Sequence, residues 1–451
     1  MTARRALICE SHVESGFPAI MKIAFVNQPF DSMWPPVRVG SLPLWTFHAA
    51  KNCSDRGHQI AIFANHGKLH REVTMTHDGI HYFFTPTLID SAVNRTASLS
   101  GLFIRKISSE SGLDHSAGAS WYHWGYAREV AKRIRMLRSD VVHVMNYSQF
   151  VPVIRRYNPT VRIVLHMHCE WLTQFTRAII EPRLRQTDLI VGCSEYLTNT
   201  ISDAFPEFAE NLVTVPNSTD VVLEDQAARP VGNRVLFVGR LSPEKGIHDL
   251  ITAFHTVLQR IPDASLHLVG DEGAAPLRFL VGLSNLPQVQ ALRRFYDYSG
   301  RPGGKDSYLT ALEKLAGPEL GKRIIFEGCT DHDKIHAHYR NAALLVNASL
   351  SESFGISVIE AMMLKIPVVA TRTGGMQHTV IPGETGLLVD PAEPSALADA
   401  IIAVLTDSAL ARRMGEAGRK CAVSHFSRDR SADRLLQAYG TADRRPGSCV
   451  H

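Results

Sequence analysis

The chain has 451 residues, which is long enough for two or three domains with large cores. Hydrophobic residues make up 45% and charged residues 20%, an ordinary globular composition, and a net charge of +4 gives no reason to expect nucleic acid as a partner. The seven cysteines have no C-x-x-C spacing, which favours reduced thiols and a cytoplasmic location. No apolar run approaches the length needed to cross a bilayer.

Residues 1–20 are predicted to be an N-terminal extension, either a disordered tail or an upstream start, with translation beginning at Met1 or Met21. From Met21 onward, short apolar runs typical of buried strands alternate with helical patterns. The first half contributes predicted strands at Lys22–Val26, Gln59–Ala64, Val141–Met145, Arg162–His166, Leu189–Cys193 and Leu212–Val215. The second half contributes predicted strands at Arg234–Val238, Ser265–Val269, Arg323–Glu327, Ala343–Asn347, Pro367–Thr371 and Gly386–Val389.

This alternation predicts the α/β class, with parallel sheets covered by helices on both faces. Two doubly wound domains fit the two sets of strands, at residues 21–215 and 216–425, with turn-rich sequence at 216–233 between them. The second domain has an insertion at 274–317, and residues 426–440 form a final amphipathic helix. Because doubly wound sheets bind ligands beyond the carboxyl ends of their strands, the candidate residues are sought there.

The segment Leu350–Glu360, which reads L-S-E-S-F-G-I-S-V-I-E, follows a predicted strand and opens the apolar helix Ile356–Leu364. Glu352 and Glu360 are eight residues apart, so a loop and the helix behind it can present both acids to one cavity. Gly355 permits close approach of a ligand, and the helix N-terminus offers N–H groups to an anion. The pattern suits a nucleotide sugar; the alternative is a capped helix with two solvated acids.

The segment Val235–Gly246, which reads V-L-F-V-G-R-L-S-P-E-K-G, places Gly239 and Arg240 at a strand end and Lys245 shortly afterwards. Two cations at this spacing can converge on a diphosphate through charge-assisted hydrogen bonds. The alternative is a surface turn with solvated charges.

Two further segments carry candidates in the first half. His166 and His168 fall on the same side of a strand end, and we favour His168 because it lies further toward the loop. A metal site of His166, His168 and Glu170 fits less well. Gly40 and Ser41 open a helix at Leu44–Arg56, where small residues would let an acceptor or phosphate approach, although an ordinary helix start is equally compatible.

A D-x-D sequence of the kind that binds metals in other enzymes stands at residues 331–333. It begins a helix, where acidic residues are good caps, so a capping role is favoured and no metal or cofactor is expected.

The E-x-F-G-x-x-x-x-E and G-R-L-x-x-x-K-G patterns closely resemble those of retaining GT-B glycosyltransferases of family four, and the resemblance covers Met21–Tyr439. It implies two facing Rossmann-like domains, with the acceptor on the first and the nucleotide sugar on the second. A Gly-Gly-like loop is usual where this chain has Gly40-Ser41, which puts the acceptor contacts in doubt.

The resemblance also implies roles for individual residues. Glu360 would bind the ribose hydroxyls, Glu352 the transferred sugar, and Arg240 with Lys245 the diphosphate. His168 would reach the donor sugar and the acceptor, and the Cys329-Thr330 loop would contact the base. The remaining donor contacts would come from Gly239, Ser353, Phe354, Gly355, Ile356 and Ser357.

The implied reaction is metal-free transfer of a sugar from a nucleotide sugar to a hydroxyl acceptor with retained anomeric configuration. Glu352 as a covalent nucleophile is the lesser alternative. A UDP-sugar is favoured, with GDP and ADP open. The acceptor is a lipid-linked saccharide, a small metabolite, an aminocyclitol or a polysaccharide. A GT-B phosphorylase or epimerase and a non-catalytic sugar-binding protein are the rival functions.

Two features bear on location and assembly. A helix carrying Arg128, Lys132, Arg133, Arg135 and Arg138 is either a solvated face or a peripheral membrane contact. The aromatic insertion covers the cleft or forms an oligomer contact.

Overall fold

The computed structural model describes residues 20–31, 33–37, 40–65, 71–87, 90, 118–220, 230–273, 277–296, 307–330 and 332–441. Residues 1–19, most of the polar segment 90–120, parts of the insertion and Asp331 lie outside this set. The predictions made for those residues therefore stay predictions.

The first sheet is parallel apart from one edge hairpin, in the order β3-β4-β2-β1-β5-β6-β7-β8. Its inner strands are apolar and buried on both faces, as parallel strands covered by helices must be. The strands are β1 Lys22–Val26, β2 Gln59–Ala64, β3 Val73–His77, β4 Ile80–Phe84, β5 Val141–Met145, β6 Arg162–Met167, β7 Leu189–Gly192 and β8 Leu212–Thr214.

The hairpin of β3 and β4 was missed by the sequence analysis. Asp78 and Gly79 both have positive φ, the conformation that a two-residue hairpin turn requires. Strand β3 alternates between half-buried and exposed positions, so it lacks the continuous apolar run that marks the other strands.

Helices cover both faces of this sheet. Helix α1 begins at Ser41, where Gly40 and Ser41 were predicted to open it, and Pro43 fits its first turn, where no N–H is needed. The helices are α1 Ser41–Asp55, α2 Trp124–Leu137, α3 Phe150–Tyr157, α4 Trp171–Gln174, α5 Arg177–Leu184 and α6 Glu195–Ala204.

The second sheet is wholly parallel, in the order β11-β10-β9-β12-β13-β14. Numbered within its own domain this is 3-2-1-4-5-6, the order of a dinucleotide-binding fold, in which the strand order reverses between the first and fourth strands. The strands are β9 Arg234–Val238, β10 Ser265–Val269, β11 Ile324–Gly328, β12 Leu344–Asn347, β13 Val368–Thr371 and β14 Leu387–Val389.

The helices of the second domain pack around this sheet and extend into the insertion. They are α7 Ile247–Arg260, α8 Pro287–Gln290, α9 Tyr308–Ala316, α10 His332–Arg340, α11 Ile356–Met363, α12 Met376–Thr379, α13 Pro394–Thr406 and α14 Ser408–His425. Part of the insertion reaches the first domain, where the Phe279 ring lies 6.2 Å from that of Trp171.

The chain passes between the domains twice. Thr219 on the first crossing and Ser427 on the second form a β-bridge, with Thr219 N–H donating to the Phe426 carbonyl at 3.0 Å. Because these residues are paired as extended chain, the last helix, α15 Arg428–Thr441, begins two residues later than predicted. Its apolar residues Leu435, Leu436 and Tyr439 join the core of the first domain.

The predicted α/β class and the two doubly wound domains are confirmed. Every strand predicted from the sequence is present, with its ends within about one residue of the predicted ones. Among the described residues, no single helix is long and apolar enough to span a bilayer. Within the described part of the chain, α13 and α14 together are long and apolar enough, but the pair is bent by 97°.

Candidate active site

A cavity of about 790 Å³ lies where the carboxyl ends of the two sheets face each other, and residues of both domains line it. This is the position at which doubly wound sheets bind ligands. The site residues predicted from the sequence all line this cavity: Gly40, Ser41, His168, Gly239, Arg240, Lys245, Cys329, Thr330, Glu352–Ser357 and Glu360.

The loop after β12 presents Glu352 because its backbone is held against neighbouring loops. Asn347 at the end of β12 accepts hydrogen bonds from the Ser349 N–H at 3.1 Å and the Ser349 hydroxyl at 2.7 Å. Gly374 lies so close that an added Cβ would stand 1.8 Å from the Glu352 carbonyl oxygen. Only glycine fits there, and the close approach fixes the position of the Glu352 backbone.

Glu352 is paired with the lysine predicted for the diphosphate. The Lys245 ammonium donates to Glu352 Oε2 at 2.6 Å, and the two side chains are 20% and 15% exposed. Burial raises the pKa of Glu352, but the charge and hydrogen bond of Lys245 outweigh it and hold that pKa below its ordinary value. Glu352 is therefore an ionised carboxylate at neutral pH.

Arg240 and Lys245 stand on a loop that is anchored by a buried acid, Glu244. Its Oε1 accepts from Ser242 Oγ at 2.7 Å and from the more exposed Arg240 at 3.2 Å. An added Cβ on Gly246 would lie 2.0 Å from the Ala348 carbonyl oxygen, so this loop packs directly on the end of β12. The two cations and Glu352 are consequently brought together although about a hundred residues separate them.

The pKa of Glu360 is shifted in the opposite direction from that of Glu352. Burial raises its pKa to about 7, while Tyr339 donates its hydroxyl proton to Glu360 Oε2 at 2.6 Å and lowers it partly. Tyr339 was not identified from the sequence, because nothing in the spacing of α10 and α11 shows that its hydroxyl reaches this acid.

The structure distinguishes the two histidines that the sequence left open. His168 lines the cavity, and its buried Nε2 has no partner within the described residues. Its backbone N–H donates to Asn146 Oδ1 at 2.7 Å, and burial lowers its pKa to about 3, so the imidazole is neutral. His166 instead lies in the core, with Nδ1 3.0 Å from His143 Nε2.

A metal site that includes Glu170 does not form. Its carboxylate accepts from the Tyr196 hydroxyl at 2.6 Å and from the Gln174 amide at 3.0 Å. Within the part of the chain that the structure describes, no group of three His, Cys, Asp or Glu side chains is arranged to hold a metal ion.

The first-domain wall contains an acid that the sequence analysis did not single out. Asp31 lines the cavity together with Gln28, whose amide donates to Asp31 Oδ2 at 3.3 Å. Burial raises the pKa of Asp31 to about 7. Gly40, with φ of 89°, and Ser41 lie on the same wall at the start of α1. The wall offers oxygen acceptors for hydroxyl groups.

The cavity therefore has two chemically different sides. The second domain contributes the cations Arg240 and Lys245, backbone N–H groups at the start of α11 and the acids Glu352 and Glu360, a set that fits a diphosphate flanked by hydroxyl-bearing groups. The first domain contributes a neutral imidazole, an amide and a carboxyl group. A donor and an acceptor can thus meet between them.

Two protein families match the chain in succession. The description "Glycosyltransferase Family 4" matches residues 45–223, and "Glycosyl transferases group 1" matches residues 223–421. Among curated relatives, glycogen synthase of Mycobacterium tuberculosis is 26% identical over 325 residues, 69% of this chain and 70% of the relative. D-inositol 3-phosphate glycosyltransferase of Corynebacterium glutamicum is 35% identical over 211 residues, 46% of this chain and 43% of the relative.

Solved structures match over nearly the whole length. Sucrose-phosphate synthase from Thermosynechococcus elongatus aligns with a TM-score of 0.65 at 21% identity, covering 93% of this chain and 98% of its own. Anabaena HepE in complex with UDP and glucose aligns with a TM-score of 0.63 at 18% identity, covering 93% and 100%. The two family matches together extend from residue 45 to residue 421, and the chain belongs to the group 1 glycosyltransferases with the GT-B fold.

Proposed function

We propose that the chain transfers a sugar from a nucleotide sugar to a hydroxyl acceptor, with retention of the anomeric configuration and without a metal ion. The observation that carries the proposal is the Lys245–Glu352 pair, which faces the same cavity as Arg240 and Glu360. A nucleotide sugar has a diphosphate between two polyhydroxyl groups, and Arg240, Lys245, Glu352 and Glu360 all line this cavity.

Each of these residues has a role in the proposed reaction. Arg240 and Lys245 stabilise the negative charge that develops on the departing nucleoside diphosphate. Glu352 contacts the hydroxyls of the transferred sugar, and Glu360 accepts hydrogen bonds from the ribose. The neutral His168 offers its unpartnered Nε2 to the sugar or the acceptor.

The proposed chemical step takes place on one face of the sugar. The bond between the anomeric carbon and the diphosphate breaks through an oxocarbenium-like state, and the acceptor oxygen forms its bond on the same face. A phosphate oxygen of the departing diphosphate takes the acceptor proton, so no protein base is needed. In this step Glu352 is not a covalent nucleophile: Lys245 holds it as a carboxylate at 2.6 Å, and it contacts the hydroxyls of the transferred sugar.

UDP-sugars are the first donors to test, since HepE, which shares the fold, has been seen with UDP and glucose. The acceptor to test first is an unphosphorylated polyol, because the ionised form of Asp31, whose pKa burial raises to about 7, would repel a phosphate group.

The decisive assay incubates the purified chain with UDP-, GDP- and ADP-glucose and measures release of nucleoside diphosphate with and without a polyol panel. EDTA should leave the rate unchanged, and NMR of the product should show the anomeric configuration of the donor. Release that requires inorganic phosphate would indicate a phosphorylase instead, and failure to bind any of these nucleotides would overturn the proposal.

A further inference from the structure

The second crossing between the domains brings an arginine into the donor side of the cavity. Arg428 is the first residue of α15, and its backbone N–H donates to the Thr219 carbonyl of the first crossing at 3.2 Å. Its side chain lines the cavity, as does Glu360. A residue of the interdomain connection therefore lies within the cavity proposed for the donor.

Among the described residues, the Arg428 guanidinium has only part of its hydrogen-bonding capacity used. It forms an ion pair with Asp220 on the first crossing and is 17% exposed. Its buried Nε has no hydrogen-bond partner among the described residues, and neither has Oδ1 of Asn217, another buried side chain that lines the cavity. Unpaired polar atoms in a buried position are costly unless a ligand or water completes them.

Three groups around Glu360 determine its charge, besides its own burial. Burial is the largest influence and raises the pKa of Glu360 to about 7. The Tyr339 hydroxyl from α10 and the Arg428 cation lower that pKa, whereas the Asp220 anion raises it. Arg428 is the cation among these neighbours, so it favours the carboxylate that a ribose diol would bind.

We propose that Arg428 is a positioning residue for the donor: it holds Glu360 as a charged ribose acceptor and offers its free Nε–H to the same end of the nucleotide. The proposal rests on the proposed function, since it assumes that the ribose lies at Glu360. Arg428 also contacts Thr219 and Asp220 on the first crossing, so one residue serves both donor binding and the interdomain connection.

The test measures the affinity for UDP by calorimetry across the range from about pH 6 to about pH 8. If ribose binding needs ionised Glu360, affinity should rise about tenfold over this interval, since the pKa lies near its middle. Glu360→Gln should remove that part of the rise and leave only the part that comes from ionisation of UDP itself. Asp31 on the opposite wall has a similar pKa, so Asp31→Asn measures how much of the pH dependence of UDP affinity comes from Asp31.

Two substitutions should then shift the midpoint of the pH dependence of UDP affinity in opposite directions. Arg428→Gln removes the cation that stabilises the carboxylate, so its midpoint should shift upward by about one pH unit or more, with a several-fold weaker affinity near neutral pH. Asp220→Asn removes the nearby anion, so its midpoint should shift downward. Arg428→Lys keeps the charge and should keep most of the profile.

A merely structural role would give a different result, because loosening the crossing would weaken UDP binding by the same factor at every pH in both variants. Parallel profiles for Arg428→Gln, Asp220→Asn and the unmodified chain would overturn the inference while the proposed function stands. If the unmodified chain binds neither UDP, GDP nor ADP, both fall together.

Discussion

Replacing Lys245 by alanine removes the ammonium that lies 2.6 Å from the Glu352 carboxylate. The change has one consequence for folding and another for catalysis, and the two can be measured separately. The first follows from leaving Glu352 largely buried without the cation that compensates its charge, and the second from losing a positive charge at the diphosphate.

The folded chain should lose about 3 kcal/mol of stability, the lower end of the cost of breaking a buried ion pair, since both side chains retain some exposure to solvent. The pKa of Glu352 is lowered in the folded state, so the pair stabilises the fold above the pKa of an unfolded glutamate and stops doing so as the pH falls through the folded value. In Lys245→Ala burial becomes the dominant influence and raises that pKa. The variant should therefore lose further stability as the pH rises.

The rate of transfer should fall by on the order of 100-fold or more, because one charge that stabilises the departing diphosphate is gone. Urea unfolding at two pH values measures the first effect. Steady-state release of nucleoside diphosphate measures the second, at temperatures where the variant is fully folded.

The double variant Lys245→Ala with Glu352→Gln separates the two effects. Removing the unpaired charge should restore most of the stability but none of the activity. Lys51→Ala is the matched control, since it breaks a surface lysine–aspartate pair on α1 and should change neither quantity appreciably. Unchanged turnover in Lys245→Ala, or recovery of activity in the double variant, would refute the role of Lys245 at the diphosphate.

Three further substitutions, the first with a matched control, test the surroundings of the site. Gly374→Ala should abolish activity and destabilise the fold, because its Cβ would collide with the Glu352 carbonyl. Its control is Gly383→Ala, which also has positive φ but has open space around it. This control should lower the free energy of unfolding in urea by about 1 kcal/mol and keep activity. His168→Ala should reduce transfer by about 100-fold at every pH above about 5, because it removes a hydrogen-bonding imidazole that is already neutral there; a new pH dependence would contradict this. Asp31→Asn should raise the KM for an unphosphorylated polyol several-fold and leave the affinity for UDP at about pH 8 unchanged, and an unaltered KM would remove Asp31 from the acceptor site.

The sequence predicted the parts of the site that are local in the chain. Glu352 and Glu360 follow one strand at a helical spacing, and Arg240 and Lys245 follow another, so a single window contains each pair. The carboxyl ends of parallel strands lie along one edge of a sheet, which is why the two windows meet. That rule needs only the strand positions, which the apolar runs indicate well.

What could not be predicted depends on side chains that meet across elements. Tyr339 contacts Glu360 from another helix, and Arg428 on the last crossing acts on it through its charge. Asp31 stands in a proline-rich loop with no periodic pattern. Their effects depend on burial and on distances between elements, and linear spacing contains neither.

The two acids of the Glu352–Glu360 segment differ in charge because only one of them has a lysine as its direct partner. Lys245 keeps Glu352 ionised before any donor arrives, whereas burial leaves Glu360 close to half protonated at neutral pH. A pair of similar groups whose environments separate their pKa values commonly marks two different tasks. If the diphosphate forms an ion pair with Lys245 and the ribose donates hydrogen bonds to Glu360, donor binding must shift the pKa of both acids. The arrangement would then couple the two ends of the donor through the groups that hold it, although eight residues separate the acids.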